Sequence, residues 1–390
     1  MKMRNTLFAL LTLAAGVASA QVTTESAGEK TLFERVAKIE KKSDKFNLFF
    51  NMHYALDADF TAGNFDQGAF NMHQFRIEAK GKVTDWLSYR WRQRLNRCND
   101  GGGFIDNLPN SIDLAYLNFS VTDKFNISAG KLCAAYGGIE FDMNPIEIYR
   151  YSEIINNMSN FMSGVMFTYD FNPNQQLAFQ VLDSRNGSIE KTYGANLDAN
   201  KLPFVYTLNW NANMFDGAWQ TRWSASVMDE VKDKYMYYVA LGNQFNFSPK
   251  CNMFVDLMSS YEQLDRKGIM TNIFGGQGNF DGHNMYNTLY SSLVTKVNWR
   301  FQPKWNFFVK GMLESAAIYR GEEGIADGNY RTSVGYLTGV EYYPMESNLH
   351  LFLTFVGQTH LFTERAKALG QNDYSTQRVS VGFIYQLPVY

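Results

Sequence analysis

Apolar and polar residues alternate with a period of two along most of this chain, in about sixteen stretches between residue 46 and the C-terminus. The last stretch is the clearest: Val379, Val381, Phe383, Tyr385 and Leu387 fall on one face, and Ser380, Gly382, Ile384 and Gln386 on the other. A period of two over roughly ten residues is what a strand needs when lipid lies on one side and water on the other. The spacing predicts strands over 46–60, 69–82, 86–98, 111–121, 125–133, 161–171, 175–183, 203–212, 218–228, 234–247, 251–262, 285–301, 304–317, 333–343, 348–362 and 376–387. The joins alternate as well. Those after even strands are turn-like, as in Val83-Thr84-Asp85, Thr122-Asp123-Lys124 and Asn172-Pro173-Asn174. Those after odd strands are mostly longer and rich in Gly, Asn and Asp, as in 99–110, 134–160, 184–202 and 263–284. Short periplasmic turns and long outer loops are expected of a bacterial membrane barrel, whereas a water-soluble sandwich has no reason to segregate its connections this way. The fold class expected is all-β: a transmembrane antiparallel β-barrel of about sixteen strands over residues 46–390.

Backbone chemistry requires the closure. Each unpaired N–H or C=O costs several kcal/mol in hydrocarbon, so an open sheet edge is not tolerated there. A cylinder of about sixteen strands is too wide for its own side chains to fill, which leaves an aqueous channel unless something plugs it.

Residues 1–20 read as an export signal, with Lys2 and Arg4 ahead of an apolar core from Leu7 to Ala15 and a small-residue cleavage site at Ala18-Ser19-Ala20. No later apolar run approaches the roughly 20 residues of a transmembrane helix. Residues 21–45 read as a short periplasmic segment, too small for a globular plug, in which Leu32, Val36 and Ile39 suggest one short amphipathic helix. Aromatic residues make up 16% of the chain, with 23 tyrosines, which suits the belts that barrels place at both membrane interfaces. The expected location is the outer membrane of a Gram-negative bacterium, with its lipid as one partner. A net charge of -2 points to no nucleic-acid partner. The three cysteines, Cys98, Cys133 and Cys251, are an odd number and imply no disulfide framework. A Cys98–Cys133 bridge is open but weakly supported, and wall filler is the better reading. Zinc spacings are absent, and no cofactor or metal is expected.

Candidate chemistry concentrates in two places. The third outer loop, 134–160, carries Glu140, Asp142, Glu147 and Arg150 among aromatic residues, which suits a segment folded into the lumen as a constriction. On the third strand, Tyr89, Trp91 and Leu95 facing lipid turns Arg90, Arg92 and Arg94 to the lumen; on the second, the same parity turns Arg76, Glu78 and Lys80 inward. Such a basic wall facing an acidic loop would set up a transverse field. The bland alternative is that any wet wall needs polar residues. Inward acids (Asp170, Asp256, Glu262, Glu314, Glu341) offset inward bases (Arg222, Lys296, Arg300, Lys310, Arg378), so only weak, anion-leaning selectivity is expected.

Two other classes compete with a passive channel for small hydrophilic solutes and ions. Inward aromatics such as Tyr116, Tyr238, Phe254, Tyr290, Phe308 and Phe352 could line a stacking path for sugars or oligosaccharides. An enzyme on the lipid face would need Ser with His and Asn near the outer rim. His73 is the one histidine that parity sends outward, and no serine accompanies it. Catalysis is not expected.

The layout resembles the phosphate-selective porin O and P family, and more broadly the general sixteen-stranded porins. Local similarity is best over 75–94, 113–118 and 130–140, where Gly130-Lys131 and Gly138-Ile139-Glu140 match the family's pattern at the end of the fifth strand. The resemblance implies a homotrimer. Phosphate-selective members carry several arginines in the third loop. This loop has Arg150 against Glu140, Asp142 and Glu147, a departure that argues against phosphate selectivity. The C-terminal Ser380-x-Gly382-x-x-Tyr385-x-Leu387 resembles a barrel-assembly signal.

Overall fold

A computed structural model describes residues 43–97, 106–185, 187–229, 231–322 and 324–389. The expected export signal, nearly all of the 21–45 segment and Cys98 lie outside the described residues. Sixteen strands follow one another: β1 (Asn47–Thr61), β2 (Asn64–Lys82), β3 (Leu87–Arg94), β4 (Ile112–Ser120), β5 (Phe125–Cys133), β6 (Phe161–Asn172), β7 (Gln175–Asp183) and β8 (Phe204–Met214). The second half continues with β9 (Trp219–Asp229), β10 (Tyr235–Ser248), β11 (Cys251–Leu264), β12 (Tyr286–Gln302), β13 (Trp305–Ile318), β14 (Gly328–Tyr342), β15 (His350–Phe362) and β16 (Tyr374–Pro388). Each strand pairs with its sequence neighbours and β1 pairs antiparallel with β16, so the sheet closes on itself.

β1 shows why these segments take this form. Asn47, Phe49, Asn51, His53, Ala55 and Asp57 are buried, while Leu48, Phe50, Met52, Tyr54 and Leu56 between them are partly or fully open. In a soluble protein that pattern would be inverted for Asn, His and Asp. Here the open, apolar face is the outside of the cylinder and the polar face is its inside. Exposed Trp86, Phe247, Trp299 and Trp305 cluster by the short turns, and Tyr206, Tyr237 and Tyr319 by the opposite rim, as two aromatic belts.

The joins after even strands span 83–86, 121–124, 173–174, 215–218, 249–250, 303–304 and 343–349, as the spacing predicts. The first join differs. A loop over 61–68 is expected, but β2 begins at Asn64, and only Ala62 and Gly63, both with positive φ (51° and 83°), make the turn. The mostly polar run Asn64 to Gly68 lacks alternation, yet its backbone pairs with β1 across a bulge at Asp66, whose carboxylate accepts from Thr61 Oγ1 (2.6 Å).

Candidate functional site

Arg76, Lys80, Arg90, Arg92 and Arg94 lie together on β2 and β3, and their charges are not free. Arg76, Arg92 and Arg94 converge on the Asp113 carboxylate at 3.0, 3.4 and 2.8 Å. Arg90 and Lys80 both lie on Glu78, at 2.9 and 3.7 Å. Five cations thus share two carboxylates, and the face retains a positive balance. Asp113 escaped the sequence reading for a definite reason. Strict alternation from Tyr116 assigns it to the lipid side, but the β3–β4 register shifts between Arg92 and Gln93, and the extra residue turns Asp113 inward, where it is 1% exposed.

A second bulge corrects another expectation. Parity sends His73 outward; instead the β1–β2 register jumps from Gln74 to Met72, and His73 turns in to meet Asp57 (Nε2–Oδ2 2.8 Å) and the His53 ring. It is therefore not on the lipid face, where a lipid-directed catalyst would need it.

The segment 134–160 joins β5 to β6 and contains two short helices, α1 (Ile139–Asp142) and α2 (Glu153–Asn156), with a single 3-10 turn between them at Pro145–Glu147. Nothing in its hydrophobic pattern sustains a long helix. Its backbone groups are satisfied instead by side chains of the polar face. Asp256 on β11 accepts from Ile139 N and Glu140 N, each at 2.8 Å, and so caps α1. Glu314 on β13 accepts from Glu153 N at 2.6 Å and does the same for α2. Gln180 on β7 accepts from Ala135 N (2.7 Å), and Gly138 N donates to Arg222 O on β9 (2.9 Å). Gly137 and Gly138 have φ of 68° and 89°, which L side chains rarely adopt, and these two glycines steer the chain toward β9 and β10.

The expected site residues of this segment each find a place on the wall. Glu140, fully buried, pairs with Lys310 on β13 and accepts from Ser152 Oγ (2.7 Å). Asp142 pairs with Arg222 at 3.0 Å. Glu147 lies 3.7 Å from His350 Nε2. Arg150 accepts Lys310 Nζ with its carbonyl oxygen at 2.6 Å. The acids of the segment therefore meet Arg222 on β9, Lys310 on β13 and the His350 ring on β15, not the β2–β3 arginines, which have their own carboxylates. Burial raises the Glu147 carboxyl above its usual range, against the opposing pull of His350, and Asp142 shifts the same way, against Arg222. The Arg150 guanidinium moves down through burial and then the nearby Arg378.

Glu153, which the sequence reading passed over, is the most connected acid of the segment. It pairs with Arg331 and also accepts from Gln358 Nε2 (3.1 Å) and Ser333 Oγ (3.3 Å). No short-range signal marks it, because its partners come from β14 and β15.

Of the inward aromatics, Tyr238, Phe254, Tyr290, Phe308 and Phe352 are buried, and Tyr116 is half-buried. Tyr149 stacks on Phe308 and stands edge-on to Phe352, and Tyr136 stands edge-on to Tyr238. Tyr290 is held by its hydroxyl, which donates to Asp265 at 2.6 Å. Faces already occupied in this way cannot stack a passing sugar.

Between the segment and the wall lies a cavity of about 400 Å³, lined by Arg90 and Arg92 on one side, Lys296 and Asn298 on another, and Asp142 and Glu147 from the segment. Among the described residues no cluster of His, Cys, Asp and Glu is arranged to hold a metal ion.

The sequence matches the family described as phosphate-selective porin O and P over residues 46–387. No curated protein matches it. Among solved structures the barrel is similar to the outer membrane channel DcaP of Acinetobacter baumannii, with a TM-score of 0.56 and 12% identity, covering 89% of this chain and 99% of that one. It is similar to Salmonella typhi OmpF, solved in complex with daunomycin, with a TM-score of 0.56, 12% identity, and coverage of 89% and 99%. The trimer form of in-vitro folded OmpT of Vibrio cholerae gives 0.54, 11% identity, and coverage of 87% and 100%. At these identities the likeness is one of fold.

Proposed function

We propose that this chain, which belongs to the phosphate-selective porin O and P family and is a porin of the Gram-negative outer membrane, passes small hydrophilic solutes and ions down their gradients through a lumen narrowed by the segment 134–160. The observation that carries this reading is the reach of that segment. Its bonds go to polar-face residues of β7, β9, β11, β13, β14 and β15, which supports a course through the interior of the cylinder. The chain then works without catalysis, and a homotrimer is the natural assembly, as in the trimer form of OmpT.

Arg76, Lys80, Arg90, Arg92 and Arg94 form one wall of the constricted lumen, and Glu140, Asp142, Glu147 and Arg150 belong to the segment that constricts it. Selectivity is weak and leans toward anions. A unit charge 10 Å from an ion contributes about 0.4 kcal/mol in water and about 1.7 kcal/mol at an effective dielectric near 20. With five wall cations on two carboxylates, a few such contributions survive. A second reading, a phosphate-selective channel, draws on the same five cations. Single-channel recording in planar bilayers tests both. Ohmic conductance in potassium chloride with a small anion-directed reversal potential supports the first reading. Strong block of chloride current by low inorganic phosphate supports the second, and no conductance refutes both.

A further inference from the structure

The two walls of the central cavity differ in one chemical respect: whether their polar groups are already spent. On β2 and β3 the guanidinium groups are paired with Glu78 and Asp113, so they attract an anion without being free to hold it. On β11–β13 the situation is the reverse. Lys296 is 8% exposed, and no described carboxylate forms a close ion pair with its ammonium, though Glu341, Glu147 and Glu140 attract it from farther off; it rests on the face of Phe308, 4.6 Å from the ring centroid. Next to it on the same face, Asn298 Nδ2 donates to Asn252 Oδ1 (2.9 Å), leaving the Asn252 amide hydrogens and the Asn298 carbonyl without a protein partner among the described residues. Asn306, 1% exposed, donates to Glu341 Oε2 (2.8 Å), while its own Oδ1 is buried with no donor. All four residues line the cavity.

An unpaired ammonium calls for an anion. Unpaired amide donors beside unpaired amide acceptors call for hydroxyl groups, which both donate and accept. A chloride offers no hydrogen to Asn306 Oδ1, and a neutral sugar leaves Lys296 unanswered. The carboxylates nearby have other partners: Glu341 accepts from Tyr149 Oη (2.9 Å), Asn306 and Tyr343 Oη (3.2 Å), Glu140 pairs with Lys310, and Glu147 lies 3.7 Å from His350 Nε2.

We propose that this cavity is a transit site for a hydroxylated organic carboxylate of monosaccharide size, its carboxylate on Lys296 and its hydroxyls on Asn252, Asn298 and Asn306. The proposal rests on the channel reading above and adds the class of preferred solute. A cavity of about 400 Å³ accommodates one such molecule with water.

The test uses the full chain in planar bilayers, with chloride current recorded while glucuronate, acetate, glucose or inorganic phosphate is added. Glucuronate is expected to reduce the current saturably at a concentration about tenfold below any of the other three. Lys296→Gln is expected to remove that block, and Asn306→Leu to bring glucuronate down to the level of acetate. Lys201→Gln, an exposed outer-loop change, serves as control. Equal effects of glucuronate and acetate in the unaltered chain, or stronger block by phosphate, with chloride conductance intact, overturn the proposal while sparing the channel. Absence of chloride conductance overturns the channel and the proposal with it. The comparison in the unaltered chain decides the matter even where a variant fails to insert.

Discussion

Tyr149 lies flat on Phe308, ring centroids 5.2 Å apart and planes 4° from parallel, and its hydroxyl donates to Glu341 at 2.9 Å. One residue of the segment 134–160 is thereby held by an apolar face and a polar tip at once, against β13 and β14. An aromatic pair adds about 0.5–1.5 kcal/mol beyond its buried area. Tyr149→Ala removes both contacts and frees the middle of the segment. Single-channel conductance is expected to rise and to become noisier, whereas Tyr149→Phe, which keeps the stack, is expected to change it less. Identical traces for the two variants would show that the ring contact does not hold the segment.

The approach of the segment to β10 depends on the lack of a side chain there. A Cβ on Gly242 would sit 2.7 Å from Gly138 Cα and 2.8 Å from Ile139 N, both backbone atoms that have no room to yield. Gly242→Ala is expected to push α1 off the Asp256 cap at a cost of about 1–3 kcal/mol. Thermal unfolding in detergent should show a lower midpoint, and conductance should differ from that of the unaltered chain.

Asp113 offers a charge test in two directions. Replacing it with Asn leaves Arg76, Arg92 and Arg94 without their shared carboxylate. The reversal potential in a salt gradient is expected to move toward anions, by an amount equivalent to about 1 kcal/mol at most. Arg90, Arg92 and Arg94 all replaced by Gln should move it toward cations. Stability is expected to fall in both cases, since buried charges lose partners.

Acidity should act through the segment. Burial raises the Glu147 carboxyl pKa in the folded state, so the folded chain takes up this proton more readily than the unfolded one. The sign follows: this group favours the folded arrangement at low pH, and its contribution fades as pH rises through the raised value. On acidification from neutral pH, the cavity loses negative charge before ordinary carboxylates titrate. Anion preference is expected to grow over that interval, and Glu147→Gln to flatten the change. A pH series of reversal potentials measures it.

Most of the barrel was legible from alternation alone. β5 and β7 appear at the predicted residues, and the other strands differ from expectation by no more than a few residues at either end. Lumen-facing parity assigns Arg76, Arg90, Asp256, Lys310 and Glu341 to the polar face. It failed where one extra residue breaks the count. The bulges at His73 and Asp113 reverse the side on which each lands, and a bulge leaves no mark in the apolar–polar rhythm. The two-residue hairpin at Ala62-Gly63 was missed for a related reason: strand pairing in a polar run is made by backbone groups that the side-chain pattern does not report.

The sequence by itself determined a closed cylinder, because period-two alternation over sixteen segments leaves a greasy outside and a wet inside, and hydrocarbon forbids a free edge. The tertiary structure alone decided which charges within that cylinder remain free. Glu140 and Lys310 are separated by 170 positions in the chain, and Asp113 gathers arginines from two other strands. Whether a charge is answered depends on neighbours brought together by closure, and no local spacing encodes that.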